Sequence, residues 1–365
     1  MLKKTTMIAG LSGLALSATT ALAQEQWTMT TTWSSALELI ETDKHFVDLA
    51  NKLVGDEVTI EFYEGGALVP PGEVFGAVES NTVQAGADWP GYWAGRDPAF
   101  SALATTPSLF NAVDYVNWIQ QWGGKEIYED IYGQFGMVYL PYGVTNNESG
   151  FHTAEPIRSL EDLAGKRLRV SGLEQGRLLE KLGGSQVSMA GGEVYQALER
   201  GVIDGGEFST PNVDWSAGFQ QVSDYWATPG WHQSASVFGV MINQSAWDAI
   251  SPEAQEKLRI AADATMLWSL AFTEKRATEA YAQWDEAVEI NRYDDAMLEQ
   301  VQQMANETIV EVSCENPSSA RVYLSMMEYL NDYSSWRDAS APFNLGRTPN
   351  GPDVAAIREC APDAE

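Results

Sequence analysis

The 365-residue chain has only 2 cysteines and 3 histidines, and its 22 Lys+Arg are outnumbered by 51 Asp+Glu, for a formal net charge of −29. The shortage of basic residues excludes a nucleic-acid binder, because neutralising phosphates needs a Lys/Arg surplus. The shortage of thiols and imidazoles excludes a Cys-based metal cluster. After the first segment no uncharged apolar run reaches the roughly 18 residues a membrane helix requires. Also missing are a G-x-S-x-G elbow, an H-E-x-x-H helix and a phosphate loop, which removes the commonest hydrolase and nucleotide chemistries. Adjacent acids such as Asp294-Asp295 read as a solvated loop. What is present excludes disorder: 13 Trp, 14 Tyr and 12 Phe in a composition that is 44% hydrophobic can fill a substantial core. A chain of this length divides into about two domains, since single cores stop growing at roughly 250–300 residues.

The first 23 residues read as an export signal. Lys3 and Lys4 form a positive start, Met7 to Leu16 a short apolar stretch, and Ala21-Leu22-Ala23 the small-x-small pattern of a cleavage site. The mature chain then begins at Gln24, is exported and soluble, and is more acidic still. In an oxidising compartment Cys314 and Cys360 are expected to pair and tie down the C-terminal tail, two free thiols being the alternative.

Along the chain, Trp27–Trp33 reads as a strand and Leu37–Leu53 as a helix stopped by Gly55. Val58–Tyr63 reads as a strand, Gly72–Ser80 as a helix and Ala85–Trp89 as a short strand. The alternation resumes with a strand at Lys166–Val170, a helix from Gly172 to Gly183-Gly184 and a strand at Gln186–Met189. A helix from Gly191-Gly192 through Arg200 and a strand at Val202–Phe208 follow. This is an α/β pattern. Ser251-Pro252-Glu253 has an N-cap hydroxyl, an N1 proline and an early acid, and helical spacing then runs to about Ile290, long enough to lie along two domains. A helix at Asp295 to about Ser313 and an aromatic-rich segment at Arg321–Trp336 complete the chain.

Several of these stretches carry a family resemblance. Gly165–Val170, the helix ending Lys-Leu-Gly183, the block Ala190-Gly-Gly-Glu-Val-Tyr-Gln-Ala-Leu-Glu-Arg-Gly-Val-Ile-Asp-Gly-Gly-Glu-Phe208 and Pro229-Gly-Trp-His-Gln233 resemble the solute-binding proteins of TRAP (tripartite ATP-independent periplasmic) transporters. Tyr92–Phe100 and Ser251–Gln255 are similar to the branch that binds 2-oxo acids and related small carboxylates. The resemblance covers essentially the whole mature chain.

It implies a two-lobed α/β periplasmic binding-protein fold with a long helix spanning both lobes. Lobe I would be 24–146 completed by about 238–275, lobe II 147–237 with part of the long helix 252–290, and a helical C-terminal region would occupy 291–365. The family's carboxylate anchor falls on Arg169, whose planar guanidinium matches a carboxylate in a way Lys cannot. Arg167, two residues earlier, is the one left to face outward, the bland alternative being that Arg169 does so. The resemblance also implies a sodium or calcium ion bridging protein and ligand, held by Glu148 (or Asn147, within alignment error), Glu207, the Phe208 carbonyl and Gln233. Gln233 stands where the family has Glu, and Phe208 where it has Trp. The alternative is that the ion is lost and Glu148 and Gln233 bond the ligand directly. Tyr92, Trp93, Asn212 and Trp231 are further cleft candidates, as aromatic walls and polar handles. His232 reads as a ring packed in the cleft wall, and His45 and His152 are given no role. The implied partners are a small organic acid, the membrane permease subunits and a second copy of the chain through the C-terminal helices. A secreted metal-dependent enzyme acting on small carboxylates is the competing reading.

Overall fold

The computed structural model describes residues 24–340; the signal segment 1–23 and Cys360 lie outside the described residues, and Cys314 is an exposed thiol. The strands are β1 (Glu25–Thr31), β2 (Val58–Tyr63), β3 (Ala85–Asp88), β4 (Met137–Thr145), β5 (Phe151–Thr153), β6 (Arg167–Arg169), β7 (Ser185–Gln186), β8 (Gly205–Gly206), β9 (Tyr225–Thr228), β10 (Ser236–Asn243) and β11 (Glu289–Arg292). They form two mixed sheets, the first in the order β2-β1-β3-β10-β4 and the second β11-β9-β5-β8-β6-β7. In the first, β1 runs parallel to β2 and β3 while β10 is antiparallel to β3 and β4. In the second, β6 runs parallel to β7 and β8.

The chain crosses between sheets from β4 to β5 and back from β9 to β10. Both β4 and β10 are buried along their whole length, as strands covered on both faces must be. Pro141 sits inside β4 where the register against β10 shifts between Phe238 and Gly239, because proline cannot donate to the ladder and is accommodated at an irregularity.

A third link is the 36-residue helix Pro252–Ala287, about 54 Å long at 1.5 Å per residue. Ser251 caps it by accepting from Ala254 N at 3.1 Å. It packs on β4 and on helix Ile40–Val54 of the first sheet, then on Pro211–Ser216 of the second, where Trp284 Nε1 donates to Pro211 O at 2.8 Å. It stops short of the expected Ile290 because the chain extends to pair β11 with β9.

The C-terminal helices divide between the two sheets. Asp295–Glu315 packs on Leu173–Lys181 beside the second sheet, and Pro317–Ser340 packs on Ala99–Ala104 and Gly124–Gly133 beside the first. The aromatic-rich segment is thus helical, and Pro317 marks the break. At this seam the buried Glu174 accepts from Ser101 Oγ at 2.5 Å and from Tyr323 OH at 2.8 Å. One contiguous apolar cluster holds Trp33, Trp89 and Phe238 together with Phe208, Val213 and Trp226, so the facing sheets are closed on one another. Among the described residues no helix is long and apolar enough to cross a membrane.

Two expected strands are much shorter than their sequence suggests. β7 ends at Gln186 because the chain turns away to aim the Met189 carbonyl at Arg169. β8 is only Gly205–Gly206, since 201–204 are turn and bend, with Val202 N bonded back to Ala197 O at 2.9 Å before Asp204 N reaches Arg167 O of β6 at 2.8 Å.

Candidate functional site

The parallel strands β1 and β3 in one sheet, and β6 and β8 in the other, deliver their carboxyl ends to one cleft, the usual ligand position in open α/β sheets. A cavity of about 350 Å³, part of it open to solvent, is lined there by Trp33, Leu39, Trp89, Tyr92, Thr145, Ser236 and Phe238 from the first half. Glu148, Arg169, Ser171, Phe208, Ser209 and Gln233 complete it. Aromatic walls with a few convergent polar groups are what a small-molecule pocket needs.

Arg169 ends β6 and is 1% exposed. Its Nε and Nη2 donate to Met189 O at 3.3 and 3.2 Å, and Nη1 donates to Glu207 O at 2.8 Å. Of the five guanidinium N–H groups these use three, leaving one on each terminal nitrogen. Nη1 also lies 3.0 Å from Glu207 Oε2, and the Phe208 ring lies 5.7 Å from the guanidinium carbon. Phe208 can sit there only because residue 191 is glycine: a Cβ on Gly191 would stand 1.8 Å from the ring. Arg167, by contrast, is exposed and paired with Asp204 at 2.7 Å.

Glu207 Oε1 accepts from Ser171 N at 2.6 Å and from its hydroxyl at 2.9 Å. Glu148 is also buried, and Ser236 Oγ donates to its Oε1 at 3.0 Å. Burial, with the Glu207 and then the Asp214 charge added, holds the Glu148 carboxyl well above the usual carboxylate range. Gln233 bonds best with its amide nitrogen turned toward Glu148 Oε1 and Oε2, at 2.7 and 3.0 Å, and its oxygen toward Ser171 Oγ at 3.1 Å.

His232 is fully buried, stacked on Phe151 at 5.3 Å and edge-on to Trp231 at 5.7 Å. It is packed as expected, but its Nε2 also faces Glu148 Oε2 and Glu207 Oε2 at 3.8 Å each. Burial pushes its pKa down to about 4, against the pull of Glu207, so the ring is neutral at ordinary pH. Ligand atoms of Glu148, Glu207 and His232 lie within 4.8 Å of one another. Two buried carboxylates against a single arginine, with an imidazole neither of whose nitrogens has a hydrogen-bond partner among the described residues, form a donor set that fits a cation.

Four expected cleft residues do not line the cavity. Trp93 turns into the core of the first sheet, where its Nε1 bonds the buried Asp88. Trp231 packs in the core of the second sheet behind His232. Asn147 donates to the Glu148 carbonyl at 2.8 Å. Asn212 donates to Glu38 Oε2 at 2.7 Å, and Glu38 also pairs with Arg276 of the long helix at 2.6 Å, so this cluster binds the crossover. The sequence reading missed the walls Trp33, Leu39, Trp89 and Phe238 and the hydroxyls Ser171 and Ser236. Their signal was positional, at the carboxyl ends of strands or on the unassigned β10. It also missed the buried His152–Asp214 pair at 3.0 Å, stacked against Trp226 and Trp284.

Two closed α/β halves around a cleft with a buried arginine define the class of extracellular solute-binding proteins. The sequence profile of bacterial extracellular solute-binding proteins, family 7, matches residues 29–315, and the chain belongs to this family. It is 30% identical to the monocarboxylate 2-oxoacid-binding periplasmic protein of Nostoc sp. over 249 residues, 67% of this chain and 68% of that one. A TRAP periplasmic solute-binding protein from Colwellia psychrerythraea, solved with bound calcium and pyruvate, superposes with a TM-score of 0.82 at 25% identity, covering 88% of this chain and 99% of that one. One from Bordetella bronchiseptica, a dimer with copurified calcium and picolinate, gives a TM-score of 0.83 at 24% identity over 92% and 99%. The two solved relatives are TRAP solute-binding proteins, and in each the calcium accompanies a small carboxylate.

Proposed function

We propose that the exported chain, cleaved after about Ala23, captures a small 2-oxo or 2-hydroxy carboxylate in the cleft and hands it to the membrane permease of a TRAP transporter. The observation that carries this reading is Arg169: a buried guanidinium that keeps one N–H on each terminal nitrogen for a carboxylate. Trp33, Trp89, Tyr92 and Phe238 exclude water from it, which strengthens the pair. An anion beside Glu148 and Glu207 needs charge beyond one arginine. A bound cation held by Glu148, Glu207 and the Phe208 carbonyl, with the Gln233 amide turned over to offer its oxygen, supplies that charge and fixes the second ligand oxygen. Calcium, as in the two solved relatives, or sodium is the reference ion. The burial of Glu148 beside Glu207, which holds its carboxyl well above the usual carboxylate range, favours a second reading, in which Glu148 carries a proton and no ion is needed. Closure of the halves is a population shift driven by contacts made only in the closed state. Exposed Leu324 and Trp336 on the last helix are where a second copy would pack.

The test is calorimetry and thermal melting with pyruvate and other small 2-oxo, 2-hydroxy and plain carboxylates, before and after chelation and in sodium-free buffer. A matching acid should raise the melting temperature, since about 2.7 kcal/mol is gained at a hundred times Kd, and chelation should weaken it at least about tenfold. If no such acid shifts the melt, the ligand assignment fails. If chelation and sodium removal leave affinity unchanged, the ion fails and the protonated Glu148 reading stands. Turnover of the bound acid would replace both with the enzyme reading.

A further inference from the structure

The Pro229–Gln233 loop is held in place from several sides. Glu148 N donates to Gln233 O at 3.1 Å, Gly230 N to Glu148 O at 3.1 Å, and Gln175 Nε2 to His232 O at 3.2 Å. The imidazole it carries is therefore fixed by backbone bonds and by stacking on Phe151. A buried imidazole without a hydrogen-bond partner is costly unless something else satisfies it. Here Nε2 points between two carboxylate oxygens that are each 3.8 Å away, too far for a hydrogen bond and within the span of two metal–ligand bonds of about 2.1 Å.

From this we infer that His232 is a metal ligand, and that the cleft selects a divalent cation that accepts imidazole nitrogen, of the zinc, cobalt or nickel class, over an all-oxygen ion. The inference rests on the cation reading of the site and changes its chemistry. Carboxylate, carbonyl and water oxygens suit calcium and sodium, whereas a neutral imidazole beside two carboxylates suits zinc and its neighbours. Gln233 points the same way. With its amide nitrogen donating to Glu148, it orients a ligand carboxylate as an outer partner does, and the third place falls to His232. Position 232 thus becomes the residue that sets ion class, and Phe, which keeps the ring packing and removes the nitrogen, is the substitution that isolates it.

Chelator-stripped full-length mature protein is titrated by calorimetry with ZnCl2, CoCl2, CaCl2 and NaCl, for the wild type, His232→Phe and His232→Gln. The wild type should bind zinc and cobalt at least about 100-fold more tightly than calcium, and His232→Phe should lose at least about 30-fold in zinc affinity while calcium changes by less than about threefold. A copper-loaded wild-type sample should show nitrogen superhyperfine splitting in its electron paramagnetic resonance spectrum, a readout that does not depend on either variant folding. Calcium or sodium binding as tightly as zinc, or a copper spectrum without nitrogen coupling, overturns the role of His232 and leaves the cation reading intact. Absence of binding by all four ions removes the cation reading itself.

Discussion

Each half of the molecule buries acids, in opposite ways. In the first sheet Asp43 accepts from Tyr142 OH at 2.6 Å, and Asp88 accepts from Tyr132 OH at 3.1 Å and from the Trp93 indole. Burial raises both to about 7, and the ring hydrogen bonds offset only part of that. Neither forms an ion pair among the described residues, so both take up protons as the pH falls through about 7. In the cleft, Glu207 is met by the Arg169 guanidinium and Glu148 by the Gln233 amide, and an imidazole nitrogen stands between them. Burial alone therefore does not mark a site. The mark is convergence of unlike groups: the cleft brings a guanidinium, two carboxylates and an imidazole within reach of one another beside a cavity.

The largest break in that contrast should come from Arg169→Met. Losing the ion pair leaves Glu207 and the incoming carboxylate unpaired, at about 3–5 kcal/mol, so calorimetry should show at least a hundredfold loss of affinity; an unchanged Kd would strip Arg169 of its role as anchor. A smaller effect tests the other acids. The folded state keeps protons on Asp43 and Asp88 that the unfolded chain gives up near its ordinary carboxylate value. Their stabilisation is thus complete below about pH 4, declines as pH rises to about 7, and stays low above that. Asp88→Asn should narrow the gap between melting temperatures at pH 5 and pH 8 by a few degrees, with ligand affinity unmoved; an equal gap in the variant would show that Asp88 is ionised in the fold. The smallest effect belongs to Arg167→Ala, two residues from the anchor. Its exposed pair with Asp204 is worth about 0–1 kcal/mol, and denaturant titration together with calorimetry should find stability and binding nearly unchanged.

Much of the fold and part of the site are legible in the amino-acid sequence. The β1-helix-β2 start, the long capped helix and the block around Gly191–Phe208 come from local patterns, and Arg169, Glu148, Glu207 and Gln233 fall together in the cleft. β4 and β10 are not legible, because fully buried strands lose their alternation and β4 carries Pro141. Trp93 and Trp231 mislead because an aromatic on a short turn can face either core or cleft, and nothing local decides between them. The His152–Asp214 pair joins positions 62 apart in sequence, so no spacing rule could reveal it. His232 is legible as packed, but its second neighbourhood, one carboxylate from the β4–β5 crossover and one from the end of β8, exists only once the chain has folded.

The Glu174 seam carries a consequence of a different kind. This carboxyl, raised by burial, sits on a helix of the second sheet and takes its hydrogen bonds from Ser101 and Tyr323 on the side of the first. The halves cannot part along that line without breaking two short bonds and admitting water to a group that is now fully buried. That cost stabilises the closed arrangement relative to any opened one. The seam is thus a latch between the two halves that owes nothing to whatever occupies the cleft.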